Sequence, residues 1–271
     1  MHDLTCTVLG SGTSAGIPAI ACDCEVCRST DPRDTRTRTS AAIRFNDADG
    51  HDRVILIDTS PDLRQQALRE NLRRCDAVLY THHHVDHLFG LDEVRRFNAV
   101  MGGPIDIYAE PATLENVQRV HPHIFKAEQN ANPSFVATLI PHLLSPGEPF
   151  DLHGLRITPL RLLHGRLPVL GYRFDAPNGV EGGFPMAWCT DVSSIPPETW
   201  PQLSGLKTLV LDMLRHRHHP THFTVDQAVE AAGRIGADST WFVHMAHEIA
   251  HAEVDAQLPD GMGLAWDGLR F

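Results

Sequence analysis

The apolar positions of this chain fall into short runs, most of which end on a polar residue. Leu4-Thr5-Cys6-Thr7-Val8-Leu9 alternates with the period of a strand. Residues 41–45 and 53–58 read as two further strands joined by a polar turn over 46–52, the second closed by Asp58. Thr59-Ser60-Pro61-Asp62 has the hydroxyl and early proline of a helix start, and that helix is expected to run to about Leu72. Ala77-Val78-Leu79-Tyr80 is a short buried strand, and residues 88–100 carry apolar positions at helical spacing. Residues 105–108 form another strand, followed by a proline-initiated helix from Pro111. Residues 121–150, rich in His and Pro, keep no period and read as irregular. Beyond them, residues 155–163 form a strand ending at His164-Gly165, with 169–174 as its hairpin partner. Residues 184–190 lead to Asp191, 208–212 end in Asp212, and 239–243 end at His244. A Thr224-x-x-Gln227 capping box opens a helix over 224–235, and a last helix is expected over 248–258.

Strands come first, then strand and helix alternate in each half, with no linker between halves. The pattern predicts a single α/β domain over residues 1–271, with two β-rich layers covered by helices. Asp58, His82, His84, Asp86, His87, His164, Asp191, Asp212 and His244 all lie at or just past the carboxyl ends of predicted strands. Ligand sites of α/β folds sit outside those ends, so these scattered residues can converge.

The densest of the strand ends is Thr81-His82-His83-His84-Val85-Asp86-His87. It delivers several metal-ligating side chains to one place. Imidazole nitrogen suits zinc, and the carboxylate adds an oxygen donor that iron or manganese also accepts. Cys22-Asp23-Cys24-Glu25-Val26-Cys27 sets three thiols within six residues. It reads as a structural zinc knuckle short of its fourth ligand, the alternative being unbound thiols or a redox pair. The polar stretch over 29–40 is a long loop that a metal clip would order, so residues 13–40 are taken together as the knuckle-bearing loop. Gly10-Ser11-Gly12-Thr13-Ser14-Ala15-Gly16 before it is a tight turn whose spacing fits neither the dinucleotide fingerprint nor the P-loop.

Composition narrows the chemistry. With 271 residues, 42% hydrophobic and 21% charged, the chain is an ordinary globular one with room for a sizeable core. A formal net charge of −11 argues against extended nucleic-acid binding, which draws on many Lys and Arg contacts. It leaves room for a small phosphorylated substrate held through metals. No apolar run is long enough to span a bilayer, and Met1-His2-Asp3-Leu4 does not begin a secretory signal. The expected compartment is the cytoplasm, where the six cysteines serve as metal ligands or core residues rather than disulfides. The oligomeric state is left open, a homodimer included.

Thr81, His82, His84, Asp86 and His87 meet in full the Thr-His-x-His-x-Asp-His signature of the metallo-β-lactamase-fold hydrolases, which this chain resembles over essentially its whole length. The resemblance implies a four-layer αββα sandwich. It assigns His82, His84 and His164 to one metal and Asp86, His87 and His244 to another, with Asp191 bridging and Asp58 orienting the histidines. Within that superfamily, the Cys22-x-Cys24-x-x-Cys27 cluster is similar to that of the PhnP-type phosphoribosyl cyclic phosphodiesterases of phosphonate breakdown. That likeness implies a structural zinc on Cys22, Cys24, Cys27 and His247, and gives His222 the role of catalytic histidine near the leaving group. His83, His216, His218 and His219 match no motif.

The implied activity is hydrolysis of a small, cyclic ribose phosphodiester by two divalent metals (zinc, manganese or iron) through a bridging hydroxide. Asp191 and Asp86 are the acids of that machinery, and protonated His222 serves the departing oxygen. Arg95 and Arg96 either hold a second phosphate or lie on a solvated helix face. Alternatives of the same fold are a tRNA 3′-processing endonuclease, the B protein of pyrroloquinoline quinone synthesis, and a thioester or lactone hydrolase. The non-enzymatic alternative is a zinc-dependent scaffold. Against the endonuclease, the stretch from His164 to Asp191 is too short for a basic tRNA-binding arm.

Overall fold

Strands that are apolar on both faces must be covered twice, and the two sheets of this chain are. In the computed structural model, residues 1–132, 134–177, 180 and 182–271 are described. Residue 133, inside the stretch read as irregular, and residues 178, 179 and 181, between His164 and Asp191, lie outside the described residues.

The first sheet holds β1 (His2–Gly10), β2 (Ser40–Asn46), β3 (Asp52–Ile57), β4 (Ala77–Leu79), β5 (Ile105–Ala109) and β6 (Leu139–Leu143), side by side in sequence order. Its first three strands are antiparallel and β3 to β6 run parallel. The second holds β7 (Phe150–Leu152), β8 (Leu155–His164), β9 (Leu167–Asp175), β10 (Met186–Cys189), β11 (Thr208–Asp212), β12 (Ser239–Val243) and β13 (Met262–Leu264), again in order. It repeats the pattern: antiparallel to β10, parallel from β10 onward. The helices are α1 (Leu63–Arg69), α2 (Val85–Leu88), α3 (Arg95–Met101), α4 (Pro111–Val120), α5 (Pro122–Phe125), α6 (Val225–Ile235) and α7 (His251–Asp255).

Alternation along the strands sorts residues into three apolar layers. Ile55 and Ile57 of β3 face Tyr172 and Trp188 of the other sheet in a central core. Val54 and Leu56 point the other way, under Leu63, Phe97 and Leu114 of α1, α3 and α4. On the far side, Leu209 and Leu211 of β11 pack under Ala228, Ala232 and Val254 of α6 and α7. Helix, sheet, sheet and helix are the four layers expected.

Several expectations are corrected. The stretch over 121–150 is not wholly irregular: it contains α5, β6 and the start of β7. β6 carries Pro141 and escapes a periodicity reading, but it is the edge strand of its sheet, where a missing N–H is tolerated. β7 and β13 are edge strands of three residues each, too short to show a period. The helix expected to run from Thr59 to about Leu72 spans only Leu63–Arg69. The last helix begins at His251 rather than at residue 248, because the buried Arg36 guanidinium donates to the carbonyls of Ala246 and Ile249 and holds that segment open.

Thr224 caps α6 as expected: its hydroxyl accepts from the Gln227 amide at 3.3 Å, and Gln227 Oε1 accepts from the Thr224 amide at 3.0 Å. Thr224→Ala should cost about 1 kcal/mol, seen as a lower urea midpoint at unchanged m-value. An unchanged midpoint would mean the box contributes nothing.

Candidate metal centre

The two sheets abut so that the carboxyl ends of β3 and β4 face those of β8, β10, β11 and β12. Asp58 follows β3, and the stretch from Thr81 to His87 follows β4. His164 ends β8, Asp191 follows β10, Asp212 ends β11 and His244 follows β12. Asp58, Asp191 and His244 leave their strands in the left-handed backbone region, at φ 61°, 57° and 64°. For non-glycine residues that conformation costs roughly 1–3 kcal/mol each and is kept where surrounding contacts over-determine it.

Asp58 is fully buried and accepts three hydrogen bonds: from the Thr81 amide (2.8 Å), the Thr81 hydroxyl (2.8 Å) and His87 Nδ1 (2.8 Å). Because a carboxylate only accepts, His87 must carry a proton on Nδ1, so Nε2 is the nitrogen it can offer to a cation. The Thr81 hydroxyl spends its proton on Asp58, so at 3.0 Å it accepts from His82 Nδ1, and the His82 lone pair is on Nε2 too. His164 Nδ1 donates to the Thr221 carbonyl at 2.7 Å with the same result. The Nε2 atoms of His82, His87 and His244 are buried and find no hydrogen-bond partner among the described residues.

Those lone pairs converge on carboxylates. The donor atoms of His82, His84, His164 and Asp191 lie within 4.8 Å of one another, and so do those of Asp86, His87, Asp191 and His244. His87 Nε2 is 3.2 Å from Asp191 and 3.3 Å from Asp86; His244 Nε2 is 3.4 Å and 3.6 Å from the same two. Two ligands each about 2.1 Å from one ion in tetrahedral array stand about 3.4 Å apart. Lone pairs facing carboxylates at that spacing fit cations between them. Asp191 belongs to both sets.

Charge supports the same conclusion. Burial opposes a charge on His87, yet the Asp191, Asp86 and Asp58 carboxylates raise its pKa well above the ordinary value. Burial likewise works against the Asp191 carboxylate, which His244, His87 and His82 nevertheless hold well below the usual range. His82, with burial first and the His87 charge second, is pushed far down. The cluster is an excess of buried negative charge seeking a cation.

His222 sits against the centre, its ring 4.6 Å from that of His244 and 4.5 Å from that of His164. Its Nδ1 donates to Asp212 at 2.9 Å; Asp212 also accepts from the amides of Asp191 (3.1 Å) and Phe223 (3.0 Å). Burial would lower the His222 pKa, but Asp212 outweighs it and brings the group to about 9. Cations nearby would draw it back down. The sequence marked Asp212 as one strand-end acid among several and missed this partnership; its signal was the buried run Thr208 to Asp212.

The knuckle residues also meet. His247 Nδ1 lies 3.0, 3.5 and 3.8 Å from the sulfurs of Cys22, Cys24 and Cys27. A tetrahedral zinc with sulfur at about 2.3 Å and nitrogen at about 2.1 Å sets them about 3.6 Å apart. Arg95 and Arg96 are not part of either gathering: Arg95 pairs with Asp92 at 2.8 Å, and Arg96 lines an outer groove between α1 and α3.

Residues 53–245 match the family model of the beta-lactamase superfamily domain. The chain belongs to that superfamily. It is similar, at 40% identity and a TM-score of 0.87 over 99% of this chain and 97% of the other, to a crystal structure described as a new diphosphatase from the PhnP family. A Porphyromonas gingivalis protein named octanoyltransferase is 38% identical over 269 residues, which are 98% of this chain and 51% of that protein. The chain thus spans about half the length of that relative. Zinc-bound PqqB of Methylobacterium extorquens, at 22% identity and a TM-score of 0.76 over 98% of this chain and 99% of that one, shares the fold.

Asp58→Ala is expected to weaken metal binding at the histidine centre about 10- to 100-fold while the knuckle keeps its metal. Metal content by mass spectrometry after dialysis against graded chelator measures both, and full retention at both would remove Asp58 from that role.

Proposed function

We propose that the chain hydrolyses a small phosphodiester, a cyclic ribose phosphate foremost, with two divalent cations. The observation that carries this reading is a pair of donor clusters sharing Asp191, with a buried His222–Asp212 pair stacked against them. His82, His84 and His164 hold one cation; Asp86, His87 and His244 hold the other; Asp191 reaches both. Their nitrogen and oxygen donors suit zinc, manganese or iron. Cys22, Cys24, Cys27 and His247 hold a structural zinc.

When bound, the cation pair offsets phosphate charge and lowers the pKa of water. The chain supplies the rest. Asp58 and Thr81 keep the imidazoles of His82 and His87 in the tautomer that aims Nε2 into the centre. Asp86 and Asp191 bring the negative charge that draws the cations to a fixed place. Asp212 orients the Nδ1–H of His222 and steadies its protonated form, leaving Nε2 to give a proton to the departing oxygen. The Thr221 carbonyl orients His164 from the residue next to His222, so proton donor and donor cluster are held by one loop.

A second reading, cleavage of a diphosphate bond, is favoured by the 40% identity to a protein described as a diphosphatase. It uses the same donors, but a phosphate leaving group needs less help from His222. Thioester hydrolysis draws on the octanoyltransferase name of the longer relative.

A panel on metal-reconstituted protein separates these readings: ribose and nucleoside cyclic phosphates, diphosphates, bis-nitrophenyl phosphate, thioesters and pre-tRNA. His222→Ala should lower turnover of cyclic ribose phosphates about 10²- to 10⁴-fold and that of bis-nitrophenyl phosphate far less, because nitrophenolate leaves without a proton. Equal losses would sink the leaving-group role. Absence of phosphoester hydrolysis with any of the metals would overturn the reading itself.

A further inference from the structure

Both donor sets straddle the two sheets. His82 and His84 follow β4 of the first sheet, whereas His164 and Asp191 come from β8 and β10 of the second. In the other set, Asp86 and His87 belong to the first sheet, and Asp191 and His244 to the second. The spacing of the donors therefore depends on how one sheet is held on the other. Between the sheets lies the apolar central core, and apolar burial is non-directional. A hydrogen bond fixes both distance and angle.

β9 supplies two such bonds at the right place. Tyr172 is fully buried, and its hydroxyl donates to the Tyr80 carbonyl at 2.6 Å. The Tyr80 carbonyl and the Thr81 amide are the two ends of one planar peptide unit, and that amide donates to Asp58 at 2.8 Å. A single rigid group is thus gripped by Tyr172 from one sheet and by Asp58 from the other. The next carbonyl, that of Thr81, accepts from the Leu170 amide at 2.9 Å. Two successive carbonyls of the first sheet are pinned to β9 just where the chain leaves β4 for His82.

β9 is also well placed on its own side. It pairs with β8 down to His164, opposite Leu167, and Tyr172 itself lies opposite Trp188 of β10, three residues before Asp191. The grip extends to the second donor set through the Tyr80 ring. Thr59 Oγ1 lies 2.8 Å from the Tyr80 hydroxyl and 3.2 Å from the Leu88 carbonyl. A carbonyl only accepts, so Thr59 donates to Leu88 and accepts from Tyr80. Leu88 ends α2, the helix that carries Asp86 and His87.

We propose that Tyr172 is a positioning residue for the metal centre: through the Tyr80 carbonyl, its hydroxyl sets the first-sheet donors at cation-binding distance from those of the second sheet. The inference rests on the two-cation reading above. It assigns to a core tyrosine a part that burial alone does not require.

The test uses the full chain, stripped of metal and titrated with cobalt(II) against a chromophoric chelator, because the visible bands of cobalt report the geometry of its ligands. Cobalt in the knuckle is told apart by its thiolate charge-transfer absorption. Tyr172→Phe removes the hydroxyl and keeps the ring. It should weaken cobalt binding at the histidine centre by about tenfold or more, the range for groups that orient metal ligands, and should alter the visible bands of that centre while the knuckle is unchanged. Phe174→Leu is the control, since Phe174 lies two residues along β9 in the same core. It should lower the urea midpoint but leave affinity and bands at wild-type values. Wild-type affinity and bands in Tyr172→Phe, equal losses in both variants, or loss of the fold in Tyr172→Phe would each overturn the assignment while the two-cation reading stands. If wild type itself takes up no cobalt at the histidine centre, the two-cation reading falls and the assignment falls with it.

Discussion

The buried Asp58 carboxylate is the contact on which the rest of the centre depends. A charge with no solvent exposure costs several kcal/mol unless it is hydrogen-bonded, and Asp58 meets that requirement with an amide, a hydroxyl and an imidazole. Each of its three donors does something further. The amide and hydroxyl belong to Thr81 and fix where β4 ends. The hydroxyl, committed to Asp58, turns His82 toward Asp191. The imidazole belongs to His87, on the other cluster. One carboxylate thereby decides which ring nitrogen faces the centre in histidines of both donor sets. Asp212 works in the same way from the second sheet, joining Asp191, His222 and Phe223.

Close approach of the loops makes this possible, and it depends on residues without side chains. The Thr59 amide donates to His87 and the Gly90 amide to Thr59, which lashes α2 to the end of β3. A Cβ on Gly90 would stand 2.0 Å from the Ser60 carbonyl oxygen, so only glycine lets the two segments meet. Gly165, at φ 62° and against Thr221, does the same for the loops that carry His164 and His222. The left-handed turns at Asp58, Asp191 and His244 bend each chain away immediately after its functional side chain, so the strand ends point those side chains into a common space.

The knuckle and the centre share a segment. His244 and His247 lie three residues apart, and between β12 and α7 the chain is held by Arg36, itself paired with Asp34 at 2.9 Å. Asp34 also accepts from the His251 amide at 2.9 Å. The long loop before β2 is therefore clamped twice onto the segment after β12, once by thiols around His247 and once by a buried ion pair. A metal held by the knuckle would help to order the neighbourhood of His244.

Much of this was legible in the linear chain. Alternation located the long strands, and a polar residue at the end of each marked Asp58, His164, Asp191, Asp212 and His244. The histidine stretch and the cysteine cluster declare their chemistry by residue type and spacing alone. What local pattern could not reach were β7 and β13, with three residues each, and β6, which carries a proline. Nor could it reach the shortened last helix, whose start is decided by an arginine more than two hundred residues away. The same limit hid the partnership of Asp212 with His222, and gave Arg95 and Arg96 a notice that their place away from both donor gatherings does not bear out. Periodicity and residue type are properties of neighbouring positions, so the sequence by itself determined the longer elements and which side chains bear chemistry. Which strand ends face one another is set by how the two sheets pack, and only the tertiary structure decided which acid holds which histidine.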